Sequence, residues 1–206
     1  MTNAPQPAYR MSFTTGGLFL HESIEVARLH RNSEAWENTA KRALDQQATA
    51  LPKSTSNRRS LREITNRLRV LTETERRFLL EDADRTDQQA LLWLAACRAY
   101  RFVGEFAVEV IRERYLSYQF DLPLEAFDIL FDDKAEWDER LAKLSTSTRK
   151  KLRQVLFRML REAEILSADG RIQTAILTPR LKSLVEDHNP GELAYFPGIP
   201  LMERNS

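Results

Sequence analysis

The stretch from residue 90 to 111 limits the fold more than any other. Leu91, Leu92, Leu94, Ala95, Cys97, Ala99, Phe102, Val103, Phe106, Val110 and Ile111 crowd together so closely that, at 100° per residue, they surround a helix instead of forming one stripe. A helix apolar on nearly all sides has to be wrapped, so the chain must supply other helices to cover it. With 206 residues, 42% of them apolar and 30% charged, it can. Only 6 glycines are available for tight turns, which disfavours an all-β fold; the expected class is mainly α. Gly104, inside the stretch, marks a kink or a close helix crossing. Arg98 and Arg101 are either paired inside the protein or snorkel to solvent on their long stems.

The longest unbroken apolar run, residues 90–97, has eight residues and ends at Arg98. A bilayer-spanning helix needs roughly 20. The N-terminus lacks the basic start, apolar middle and small-residue cleavage site of a secretory signal, so a cytoplasmic location is expected. Cys97 is the single cysteine; in its apolar run it should behave as a small hydrophobe, not a nucleophile.

Residues 1–120 read as a helical bundle domain. Ser12-Phe13-Thr14-Thr15-Gly16-Gly17 offers hydroxyl caps to a helix over about 18–30. The same loop type can hold a phosphate, although capping is its commoner use. His21 and His30 are half a turn out of phase and cannot share a metal from one helix. Ser33 is expected to cap a second helix, broken at Leu51-Pro52. A third spans 54–71, with Leu61, Ile64, Leu68 and Leu71 inward and Arg58, Arg59, Arg62, Arg67 and Arg69 mostly outward. Arg58, Arg59 and Arg62 are candidates for supporting phosphate contacts, although a solvated helix face explains them more simply. Thr72 with Glu75, and Thr86 with Gln89, form capping-box patterns for two further helices.

Residues 121–206 read as a second, winged-helix-like domain. Helices over about 124–133 and 136–143 precede an amphipathic one. In that helix Leu152, Val155, Leu156, Met159, Leu160 and Ala163 share one stripe. The opposite face carries Ser147, Lys150, Gln154, Arg158 and Arg161, flanked by Lys151 and Arg153, with Phe157 as an apolar intruder. Between residues 147 and 161 there are six Lys or Arg and no acid, in a chain whose net charge is only +1. Asp169-Gly170 signals a small β-hairpin, Ile172, Thr174 and Ile176 alternate as a strand, and Thr178-Pro179 starts another helix. A basic helix followed by a wing suits the major groove and its flanking backbone. Two features oppose this. The acids of residues 121–144 outnumber the bases eight to three and could neutralise the helix, and Glu164 stands where winged helices commonly have glycine. The tail over 190–206, with Pro190, Pro197 and Pro200, reads as too Pro-rich for a helix and is expected to lie extended across this domain or a partner.

Four blocks carry a family resemblance: Ser12-Phe13-Thr14-Thr15-Gly16-Gly17-Leu18; Leu92-Trp93-Leu94-Ala95-Ala96-Cys97-Arg98-Ala99-Tyr100; Phe106-Ala107-Val108-Glu109-Val110; and Ser147-Thr148-Arg149-Lys150-Lys151-Leu152-Arg153-Gln154. In order and spacing, from about residue 12 to 166, the chain resembles the BrxA family, small components of the BREX defence of bacteria against phage. The resemblance implies an all-helical, non-catalytic DNA-binding protein. The likeness drawn between that family and NusB-type folds implies a NusB-like N-terminal half. It transfers no functional residues, so the candidates rest on the helical wheel.

On that basis Ser147, Lys150, Lys151, Arg153, Gln154, Arg158 and Arg161, with Arg171 on the wing, are the expected duplex-DNA contacts: cations for phosphate and Gln154 for a base edge. A protein-binding adaptor for other BREX proteins, carried by Phe157 and the apolar tail, is one alternative; RNA binding by the NusB analogy is another. Catalysis has little support: no phosphate-cradling glycine loop with lysine, no Cys/His metal spacing and no nucleophile elbow occur, and no cofactor is implied.

Overall fold

A computed structural model describes residues 9–49 and 55–201 and is mainly helical. The N-terminal elements are α1 (Leu20–Leu29), α2 (Trp36–Asp45), α3 (Thr55–Leu68), α4 (Glu73–Glu81) and α5 (Arg85–Ala99). A continuous helical stretch follows: α6 (Arg101–Glu105), a π-helical segment (Phe106–Arg112) and α7 (Glu113–Leu116). Then come α8 (Glu125–Ala135), α9 (Glu139–Ala142), α10 (Thr146–Glu162), α11 (Pro179–His188) and a 3-10 helix (Pro190–Tyr195).

α5 is the wrapped helix that the apolar run demanded, with every residue from 90 to 97 buried. It starts earlier than Thr86 and Gln89 suggest. Asp84 is its N-cap, accepting from the Asp87 N–H at 2.9 Å, because a carboxylate oxygen on a free helix end outcompetes the later hydroxyl. The capping box of α4 forms as read, with Thr72 and Glu75 bonding each other's backbone N–H. The break in the apolar stretch falls at Tyr100, which is extended (φ −129°, ψ 101°), and not at Gly104. Gly104 serves as a close crossing: a Cβ there would lie 3.3 Å from the Tyr195 ring.

Three further expectations are corrected. Ser33 caps nothing and has φ 66°. Glu34 organises that turn instead, accepting from the Arg31 N–H, the Thr39 hydroxyl and Arg42. Arg67 does not face outward; it is 2% exposed and donates to the Gly17 carbonyl at 2.5 Å. The tail does not lie wholly extended: residues 190–195 coil into the 3-10 helix and bury Leu193, with Phe196 buried just beyond. The break expected at Leu51-Pro52 lies outside the described residues.

No strand ladder forms among the described residues. Two isolated antiparallel bridges, Leu166 with Ile172 and Asp121 with Arg171, surround the Asp169-Gly170 turn, where Gly170 has φ 84°. The expected strand over 171–177 therefore pairs only at its start; further on, Ala175 donates to the Pro197 carbonyl of the tail.

One buried cluster runs through both halves of the chain. Phe157 packs on Phe106 with ring centroids 6.3 Å apart, and the Trp93 indole N–H donates to the Tyr195 carbonyl at 3.0 Å. The Arg98 side chain is 7% exposed and fully engaged, bonding Glu75 at 2.7 and 2.8 Å and Glu192 at 2.7 Å.

Candidate nucleic-acid interface

α10 begins where Ser145 accepts from the Thr148 N–H at 3.2 Å, and its first turn carries no acid. No carboxylate of the first turn therefore offsets the partial positive charge of the helix start. Leu152, Val155, Leu156, Met159 and Leu160 are buried and set the rotation of the helix. With Lys150 as origin and 100° per residue, Arg161, Gln154, Ser147, Arg158 and Lys151 fall within an arc of about 100°. All six residues on this arc are exposed. Phe157, read as an intruder on the polar face, is 2% exposed and belongs to the core.

Two cations leave the arc. Arg149 and Arg153, one turn apart, point to α8. Arg149 bonds Asp128 at 2.7 Å and Asp132 at 2.5 Å and lies 4.6 Å over the Phe131 ring; Arg153 pairs with the other Asp128 oxygen. Arg149 holds the Asp132 carboxyl below its ordinary range. Of the acids in residues 121–144, Asp128 and Asp132 therefore take up one flank of the helix, including the candidate Arg153.

Lys150 and Lys151 form no ion pair among the described residues, and Arg161 reaches only the Phe157 carbonyl, at 3.5 Å. Arg158 pairs with Glu162 at 2.7 Å while 64% of its side chain remains exposed, and Arg171 pairs with Asp121 at 3.3 Å on open surface. Exposed pairs of this kind are worth about 0–1 kcal/mol, so both guanidinium groups can exchange partners for a phosphate. The doubly held, stacked Arg149 is far less available.

The other oxygen of Glu162 accepts from the Leu18 N–H at 2.6 Å. The Ser12 to Gly17 loop does receive an anion at the start of α1, but the anion is this carboxylate. Gly17 leaves room for it, since a Cβ there would lie 2.1 Å from the Glu162 oxygen. Its sequence signal was the Gly16-Gly17 pair, whose partner 145 positions on could not be named from spacing. Gln89, the expected capping residue, donates to the Glu162 carbonyl at 2.7 Å and anchors the same helix end.

On α3, Arg58, Arg59 and Arg62 are exposed and make no ion pair among the described residues. Burial pushes the Cys97 thiol up, consistent with a packing role. No group of three His, Cys, Asp or Glu among the described residues is placed to hold a metal, and no described helix is long and apolar enough to cross a membrane.

These features define a mainly helical protein with a basic, outward-facing surface helix. The BrxA family model matches residues 7–189, and the chain belongs to the BrxA family, a component of BREX systems. No curated protein matches it. Among solved structures, an uncharacterized protein from Magnetospirillum magneticum has the same fold, with a TM-score of 0.77 at 20% identity, covering 92% of this chain and 98% of that one.

Proposed function

We propose that this protein is a non-enzymatic, cytoplasmic duplex-DNA-binding component of a BREX anti-phage system, contacting DNA mainly through phosphates along α10. The exposed arc of Lys150, Lys151, Arg158 and Arg161, with Ser147 and Gln154 between them, carries this reading. The order of elements supports a winged-helix arrangement. The helical stretch through α7, the edge at Asp121, α8, the short α9, α10, the Leu166 edge, the Asp169-Gly170 turn and the Arg171-Ile172 edge follow one another in that sequence. In this arrangement α10 enters the major groove, Arg171 on the wing contacts flanking backbone, and Arg58, Arg59 and Arg62 add phosphate contacts outside the groove. Sequence preference is weak, because the cations of the arc are taken up mostly by phosphate, with Gln154 the best placed side chain for a base edge.

The adaptor reading loses Phe157, which is in the core, and keeps only part of the tail, where Phe196 is buried and Leu201 is 40% exposed. Binding of a random duplex, measured by fluorescence anisotropy across a salt series, tests the proposal. With roughly four phosphates neutralised, log K falls against log salt with a slope of about −3.6. Charge reversal at Lys150 and Arg161 lowers affinity and flattens that slope. Unchanged binding in this double variant, or a structured RNA outcompeting the duplex, overturns the assignment.

A further inference from the structure

A second basic surface has a different shape. Between α2 and α3 lies a cavity of about 500 Å³. Arg10, Lys41, Arg58, Arg62 and Arg69 line it, against a single acid, Glu37. Arg69 and Glu37 pair with each other at 3.0 Å, and Arg10 is held in place by donating to the Asn66 side chain at 3.1 Å. Arg10, Lys41, Arg58 and Arg62 make no ion pair among the described residues. Four cations around one concavity repel each other and concentrate positive potential in it, so a compact polyanion relieves the site. Its walls are not all polar: Ala40, Leu44 and Leu61 also line it. The volume lies within the roughly 300–1,000 Å³ of small-molecule sites, whereas a duplex presents a convex rod that would meet only the rim. Charge around the opening and aliphatic walls within are the two halves of a nucleotide's recognition.

We propose that the α2/α3 cavity binds a free nucleoside polyphosphate. The phosphates lie against Arg58, Arg62, Arg10 and Lys41, and the base rests on Ala40 and Leu44. This site shares Arg58 and Arg62 with the outlying duplex contacts proposed above, but it is separate from the arc of α10 and does not depend on it.

Isothermal titration of the full-length protein with ATP at low salt, with inorganic tripolyphosphate and a 5′-phosphorylated single-stranded oligonucleotide as parallel ligands, tests the proposal. ATP binds with a micromolar to low-millimolar Kd and more tightly than tripolyphosphate. Arg58→Glu with Arg62→Glu weakens it by at least about tenfold, the scale of losing charge-assisted phosphate contacts. Ala40→Phe, which fills the cavity without altering charge, weakens ATP binding and leaves duplex affinity unchanged, whereas reversal at Lys150 and Arg161 leaves ATP binding intact. A failure here is therefore distinguishable from a failure of the duplex reading. No ATP binding, equal binding of tripolyphosphate, tighter binding of the oligonucleotide, or an Ala40→Phe variant that binds ATP normally each overturns the proposal.

Discussion

Arg98 shows how a charge is kept inside a helical core. Its guanidinium lies between Glu75 of α4 and Glu192 of the tail, and all three side chains are nearly closed to solvent. Burial pushes the Glu75 carboxyl up, but hydrogen bonds from Arg98 and the Thr72 backbone reverse this and leave it below its ordinary 4.5. A depressed carboxyl stabilises the fold above 4.5, and that contribution disappears as pH falls through the lower folded value. Arg98→Met should therefore cost on the order of 3–5 kcal/mol at neutral pH, because two carboxylates stay buried without their cation. It should also flatten the acid limb of the stability curve. Urea unfolding of both proteins between neutral and acid pH measures both effects, and equal acid sensitivity would refute the account. Glu164 makes a smaller, opposite prediction. It ends α10 at φ 57° with an exposed side chain, in a conformation where an L side chain costs roughly 1 kcal/mol. Glu164→Gly should raise stability by about that amount, read from the urea midpoint at unchanged m-value.

Among the helices, what could be read from the chain was what repeats within a turn or two. The Thr72/Glu75 box, the Thr178 cap with Pro179 behind it, and the buried stripe of α10 are all spacings of one to four residues. What could not be read depends on neighbours far along the chain. Arg153, counted as a flank of the basic face, lies about 60° outside the arc and is held by Asp128, and Phe157 is buried because Phe106 covers it. The winged-helix reading likewise rested on a local turn, whereas the pairing around it needs Asp121, fifty positions from Arg171. The join between α10 and the loop before α1 is of the same long-range kind, and it is open to measurement. Gly17→Ala would set a methyl against the Glu162 carboxylate and displace it from the Leu18 N–H, costing about 1–2 kcal/mol. In a Glu162→Ala background the same change should cost almost nothing. A double-mutant cycle on thermal or urea stability returns that coupling; additive effects would mean that the loop and helix are not joined through this contact.

For the molecule as a whole, the boundary suggested at residues 120/121 runs through shared core. Phe106 meets Phe157 across it, Trp93 donates to Tyr195, and Glu192 completes the shell of Arg98. Ending the chain at residue 189 would remove Leu193 and Phe196, each worth about 1.5–3 kcal/mol when buried, together with one partner of a buried cation. Against a typical total of about 5–15 kcal/mol, such a loss leaves little net stability. The intact protein should therefore unfold in one transition. Of the three tryptophans, Trp93 is fully buried in α5 beside the tail, Trp137 is 84% exposed and Trp36 stacks on His30 at 3.7 Å, so in a Trp36→Phe background the fluorescence change on unfolding reports mainly on the central packing. That signal should coincide with the loss of helix by circular dichroism, and the shortened chain should melt far earlier or not fold. If fluorescence and dichroism separate into two transitions, or the shortened chain keeps the full melting temperature, the two halves stand independently and the tail is not what holds α5 in place.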